Sequence, residues 1–188
     1  MSEKKPSAPG WLILVVGASG AGKDTLIDEA RRQLADNSHF VFPMRIITRA
    51  KDAGGEIHQA LSEAEFVKAE AAGEFSFVWR AHGFSYAIPC SVDDDLAAGR
   101  VVIINVSRSV IAAARRRFDK LRVLLIEAPE TVRAKRIARR GRESLTEAQE
   151  RLARAGRFTV TGDDVVVIDN GGELAAAVEA FVKALRWS

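Results

Sequence analysis

Cysteine is all but missing from this 188-residue chain, Cys90 being the only one. That excludes an internal disulfide framework and an all-cysteine zinc site. Histidine is nearly as scarce, and His39, His58 and His82 do not fall at metal-ligand spacing. No apolar run approaches the roughly 20 residues needed to cross a bilayer. Residues 1–10, MSEKKPSAPG, are polar and are followed by only a short apolar run. No secretory leader is therefore expected, and a frayed tail on a cytoplasmic protein is. Internal repeats and low-complexity runs are missing too. So is a large charge of one sign, the net charge being +3.

What is present is ordinary globular material, 47% apolar and 28% charged, which rules out a disordered or fibrous chain. The basic residues are unevenly spread. Residues 108–157 hold 15 Lys and Arg against 6 Asp and Glu, and Arg outnumbers Lys 20 to 8 over the whole chain. Arginine is the better bidentate clamp for phosphate, so a phosphate-rich ligand is one reading and a solvated helical face the other. The basic stretch lacks interleaved aromatics, which counts against nucleic acid.

Short continuous apolar runs at WLILVV (11–16), RVVIINV (100–106), LRVLLIEA (121–128) and DVVVIDN (164–170) read as buried parallel strands. FVFPMRIITR (40–49) reads as a strand interrupted at Pro43, and EFSFVWRAHGFSYAIP (74–89) as a hairpin. Helical spacing marks 25–35, 62–73, 92–99, 107–118, 130–141, 144–155 and 172–185, the second opened by a capping box at Ser62 and Glu65. Strands alternating with helices predict a three-layer α/β domain over 11–188 with a central parallel five-stranded sheet. The irregular segment of about 37–90 interrupts the alternation as an inserted flap.

Between the first strand and the first helix lies Gly17-Ala18-Ser19-Gly20-Ala21-Gly22-Lys23, which fits G-x-x-x-x-G-K in the strand–turn–helix context that the motif requires. The glycines let backbone N–H groups turn toward an anion, the helix start adds a positive dipole end, and Lys23 supplies a point charge for the terminal phosphates. The next residue is Asp24 where Ser or Thr is usual, and Thr25 follows. Either of the two serves as the Mg²⁺ ligand, or Asp24 merely caps the helix.

A short chain has no room for a motor, so a small-molecule kinase with ATP and Mg²⁺ is expected. Arg45, Arg49, Lys51, His58, Trp79, Arg80, His82 and Tyr86 cluster in the flap, and Arg139, Arg140, Arg142, Arg151 and Arg154 mark a helical lid over about 139–157. After RVVIINV stand Asn105, Ser107 and Arg108, with no acid. An alcohol nucleophile benefits from a base, whereas a phosphate acceptor is already ionised, so the missing acid favours a phosphate.

GASGAGKDTLI, RIITR, GEIH, FVWRAHGFSYAIP, INVSR and RRGRE, in that order, resemble the ribose 1,5-bisphosphate phosphokinases of phosphonate breakdown, relatives of the guanylate kinases. The resemblance covers nearly the whole chain. It implies a P-loop fold and transfer of the ATP γ-phosphoryl group onto the 1-phosphate of ribose 1,5-bisphosphate, giving 5-phosphoribosyl diphosphate. It further implies that Gly17 to Thr25 bind ATP and Mg²⁺. Arg45, Arg49 and Tyr86 would hold acceptor phosphate, and Glu56, His58 and His82 the ribose. Asn105, Ser107 and Arg108 would face the transferred group, with Lys23, Arg139 and Arg142 acting in catalysis. Trp79 either lines the acceptor site or packs the flap.

Guanylate kinases place a carboxylate where Val78 stands and aspartates at Asn105 and Ser107, and both families commonly have glycine at Ala87. Guanylate kinase and a non-catalytic module of that fold remain the rival expectations. A small phosphorylated sugar is the expected partner, with no nucleic acid or membrane, and homodimerisation is left open. Arg115, Arg116 and Arg117 read as a solvated helix face.

Overall fold

The computed structural model describes residues 10–50, 57–81, 83–139 and 159–186. Nine strands and six helices lie in these stretches. They are β1 (Trp11–Val16), α1 (Lys23–Gln33), β2 (Phe40–Val41), β3 (Ile46–Ile47), β4 (Gln59–Ala60), α2 (Glu63–Ala71), β5 (Phe75–Ala81), β6 (Phe84–Pro89), α3 (Ser91–Ala97), β7 (Val101–Asn105), α4 (Ile111–Arg117), β8 (Leu121–Glu127), α5 (Glu130–Ala138), β9 (Val165–Asp169) and α6 (Leu174–Leu185). The helix expected over 144–155, and with it nearly all of the expected lid, lies outside the described residues. None of the described helices is long and apolar enough to cross a membrane.

Five strands form one sheet in the order β2-β7-β1-β8-β9, with β2 parallel to β7 and β8 parallel to β9. Leu12 to Val16 of β1 and Val101 to Ile104 of β7 are all buried. A strand covered on both faces needs apolar residues at every position, which is why these runs do not alternate. The chain divides into two compact units, one of Met1–Leu14 with Ala35–Leu121, the other of Val15–Leu34 with Arg122–Ser188.

The first unit carries a second sheet, in the order β4-β3-β6-β5. Its β5–β6 hairpin pairs Trp79 with Tyr86 and Val78 with Ala87, turning at Gly83 with φ +77°. Ala87 is fully buried in this ladder and also pairs with Ile46, so the strand runs on regularly where glycine is common in the related families. Phe66 of α2 packs with Ile46 and Ala87, and Val78 lies against the same cluster. The expected capping box opens α2: the Ser62 hydroxyl accepts from Glu65 N–H, and the Glu65 carboxylate accepts from Ser62 N–H. The Ser62 hydroxyl also donates to the Glu65 carboxylate at 2.6 Å, and this bond, with that from Ser62 N–H, holds the Glu65 carboxyl below its ordinary pKa.

One expectation is corrected in this unit. Arg115 and Arg116 are exposed, but Arg117 is not part of a solvated face. Its guanidinium donates to Ser76 O at 2.7 Å and Ser76 Oγ at 2.8 Å, pairs with Asp93 at 2.5 Å, and covers the rings of Phe77 and Phe118. A planar cation that satisfies a carbonyl and a carboxylate while stacking on aromatics is a fastener for β5, α3 and α4.

In the second unit, α1 and α6 pack together, and β8 and β9 pair over five consecutive positions from Val123↔Val165 to Glu127↔Asp169. Ala177, Val178, Phe181, Val182 and Leu185 form the buried stripe of α6 at helical spacing.

Candidate active site

Two groups of residues carry the candidate chemistry, one in each unit. In the second unit, the loop after β1 has no room for a side chain at Gly17. A Cβ there would sit 2.4 Å from the Ile126 carbonyl oxygen of β8. Gly22 then N-caps α1 at φ +92°, with no side chain capping the helix. Asp24 stands in the first turn of α1 and not at the N-cap position itself. The first N–H groups of an α-helix have no carbonyl partner within it and lie at the positive end of its dipole, where an anion is favoured.

The carbonyls of the loop are engaged from within and behind. Lys23 Nζ donates to Gly17 O at 2.8 Å and Ala18 O at 3.3 Å. Arg133 Nε donates to Ser19 O at 3.2 Å, and Arg136 Nη1 to Ala21 O at 3.2 Å. Asn170 Nδ2 also donates to Ala21 O, at 2.7 Å. With their oxygens turned to these donors, the peptide units of the loop carry fewer negative ends to oppose a phosphate. Arg133, Arg136 and Asn170 were absent from the sequence-based expectations. The only sequence signal for Asn170 is its place in the Asp169-Asn170-Gly171 turn that ends β9.

Asp24 is half-buried and Thr25 exposed on the first turn of α1. Among the described residues there is no cluster of three or more His, Cys, Asp or Glu able to hold a metal ion. The Asp24 carboxylate and Thr25 hydroxyl are hard oxygen donors of the kind that suits Mg²⁺, an ion that takes only one or two protein ligands. Arg139 closes α5 and is exposed, whereas Arg142 lies outside the described residues.

In the first unit, the small sheet brings together most of the expected acceptor residues. Arg45 leads into β3, and its Nη1 donates to the Asn105 carbonyl at the end of β7, 3.1 Å away. Asn105 is itself buried. Arg49 follows β3, half-buried, and its carbonyl lies 2.9 Å from Nε2 of His58. His58 is only 4% exposed, so it acts on the backbone of Arg49. Thr48 is fixed alongside: its hydroxyl accepts from Ser85 N–H at 2.9 Å, and its N–H donates to Ser85 O at 3.0 Å. The Ser85 hydroxyl in turn donates to Glu63 at 2.9 Å.

Trp79 and Tyr86 stack face to face with centroids 5.3 Å apart, and both are buried. Arg80, next along β5, pairs instead with Glu70 of α2 at 2.7 Å and covers Phe66. Ser107 caps a single 3₁₀ turn, Arg108–Val110, by accepting from Ser109 N–H, and Arg108 is exposed. Glu56 and His82 lie outside the described residues. Val78, at the position where guanylate kinases hold a carboxylate, faces the apolar cluster of Phe66, Ile46 and Ala87. A carboxylate there would face a surface offering no donor from that cluster.

No family model matches the chain. It is 47% identical over 177 residues to the ribose 1,5-bisphosphate phosphokinase PhnN of Brucella melitensis, covering 94% of this chain and 92% of that one. It is 45% identical over 178 residues to the enzyme of the same name from Agrobacterium fabrum, covering 94% and 97%. Among solved structures, a guanylate kinase from Anaplasma phagocytophilum matches with TM-score 0.65 at 18% identity, over 96% of this chain and 86% of that one. That likeness carries the fold alone.

Proposed function

The chain belongs to the ribose 1,5-bisphosphate phosphokinase family, and from that membership we propose how its own residues perform the phosphotransfer. The protein is a kinase that phosphorylates ribose 1,5-bisphosphate to 5-phosphoribosyl 1-diphosphate. The observation that carries this is the match along almost the full length of both chains to enzymes of that name.

ATP is the donor in this reading, with its phosphates on the N–H groups of Gly17 to Thr25. Asp24 or Thr25 would hold Mg²⁺, which when bound would offset charge on the polyphosphate. Lys23 exchanges its bonds to the Gly17 and Ala18 carbonyls for phosphate oxygens, so its charge is already placed when nucleotide arrives. Arg45 and Arg49 hold the acceptor's phosphates, and the Tyr86 hydroxyl adds a neutral donor. The 1-phosphate is ionised at neutral pH, so no side chain has to abstract a proton, consistent with Asn105 and Ser107 in place of acids. Arg108 and Arg139, with Arg142, supply positive charge where negative charge builds up on the phosphoryl oxygens in the transition state. Glu56 and His82 bind ribose hydroxyls, and Trp79 backs Tyr86. The same reading places the enzyme in the cytoplasm.

Purified protein should form 5-phosphoribosyl diphosphate from ATP, Mg²⁺ and ribose 1,5-bisphosphate with kcat/KM at least about 100-fold above that for GMP, a discrimination within reach of a site lacking base-reading groups. A preference for GMP would overturn the assignment. His58→Phe should raise KM for the sugar bisphosphate about fivefold and leave KM for ATP unchanged, because one hydrogen bond to the Arg49 backbone is lost. Initial rates with each substrate varied in turn would distinguish this from a general loss of fold.

A further inference from the structure

Asn170 is used by none of the steps above, yet it is 1% exposed and touches the phosphate loop. Its backbone N–H donates to Glu127 O at 2.7 Å, which ties it to the end of β8. Its Nδ2 donates to Ala21 O and lies 2.4 Å from the point where a Cβ on Gly22 would stand, so the amide rests directly on the Gly22 backbone. Its Oδ1 is buried and has no hydrogen-bond partner among the described residues. The orientation is forced, since turning the amide over would set Oδ1 against the Ala21 oxygen. A buried acceptor without a donor is a cost to stability. The residue is therefore poorly explained by stability alone.

The Ala21 carbonyl and the Gly22 N–H belong to one planar trans peptide and point in opposite directions. Holding the carbonyl from behind therefore aims the N–H forward. We propose that Asn170 is a positioning residue for the phosphate loop, pinning the Ala21–Gly22 peptide so that Gly22 N–H is presented to the polyphosphate of the nucleotide. Arg136 reaches the same carbonyl at 3.2 Å and acts in the same sense. The proposal rests on the reading of residues 17–25 as the nucleotide phosphate site.

Asn170→Leu keeps most of the volume and removes both the donor and the orphan acceptor. Dissociation constants for ATP and for inorganic tripolyphosphate, measured by calorimetry, should both rise about tenfold, the scale of one well-placed hydrogen bond. KM for ribose 1,5-bisphosphate should stay within about twofold, and Tm should not fall in proportion. Asn170→Ala gives the same comparison if leucine does not fit. Unchanged affinity for both ligands would overturn the proposal. So would weakened ATP with unchanged tripolyphosphate, which means a base contact, or a parallel rise of both KM values, which means a general loosening. Wild-type protein that ignores tripolyphosphate and ATP alike would instead remove the phosphate-loop reading itself.

Discussion

Lys23→Ala is expected to lower kcat by about 10²–10³-fold while the protein stays folded, the usual consequence of removing one preorganised cation from a site of developing charge. Lys23 is half-buried, and its Nζ holds the Gly17 and Ala18 carbonyls at 2.8 Å and 3.3 Å. Losing those two bonds costs stability as well, on the order of 1 kcal/mol each. The two effects separate by experiment. Thermal melting reads the loop bonds, and single-turnover phosphotransfer at saturating ATP reads the transition-state contribution. If kcat falls no more than Tm predicts from the unfolded fraction, the lysine is a brace and the catalytic role assigned to it is wrong.

Gly17→Ala should be the most destabilising small substitution in the phosphate loop. The added methyl would sit 2.4 Å from Ile126 O and 3.3 Å from Ile126 Cβ, and both atoms belong to a buried strand with nowhere to go. Overpacking together with the strain of φ +154° amounts to about 3 kcal/mol, or about 6–12 °C in Tm for a chain of this size. Gly73→Ala is the matched control. Gly73 also has positive φ, at +74°, but nothing lies within 4 Å of the added methyl. Its cost should be confined to backbone strain, about 1–2 kcal/mol. Equal melting shifts for the two variants would mean that β8 gives way and that the loop is softer than its packing implies.

The strands β1, β7, β8 and β9 could be read from the sequence because burial on both faces demands unbroken apolar runs. FVFPMRIITR was harder. It reads as one interrupted strand, whereas Phe40–Val41 joins the five-stranded sheet and Ile46–Ile47 the four-stranded one. Pro43 marks the break, because it cannot donate to a ladder, but periodicity carries no information about which sheet a short strand joins. Arg117 shows the same limit for side chains. Three consecutive arginines look alike in sequence, and only the contacts with Ser76 and Asp93 set the third apart. The phosphate loop was legible because its functional atoms are contiguous. Asn170 was not, since it lies 149 residues from the carbonyl it holds.

The four-stranded sheet draws all its strands from one uninterrupted stretch, Ile46 to Pro89, while the five-stranded sheet is assembled from strands scattered between Trp11 and Asp169. A sheet built from one contiguous stretch can be replaced as a single segment, whereas one built from scattered strands cannot. On the reading proposed above, that stretch holds Arg49, His58, Trp79 and Tyr86, most of what recognises the phosphate acceptor. Most of the side chains assigned to the acceptor can thus be varied within a single contiguous stretch that shares no residue with the phosphate loop of Gly17 to Thr25.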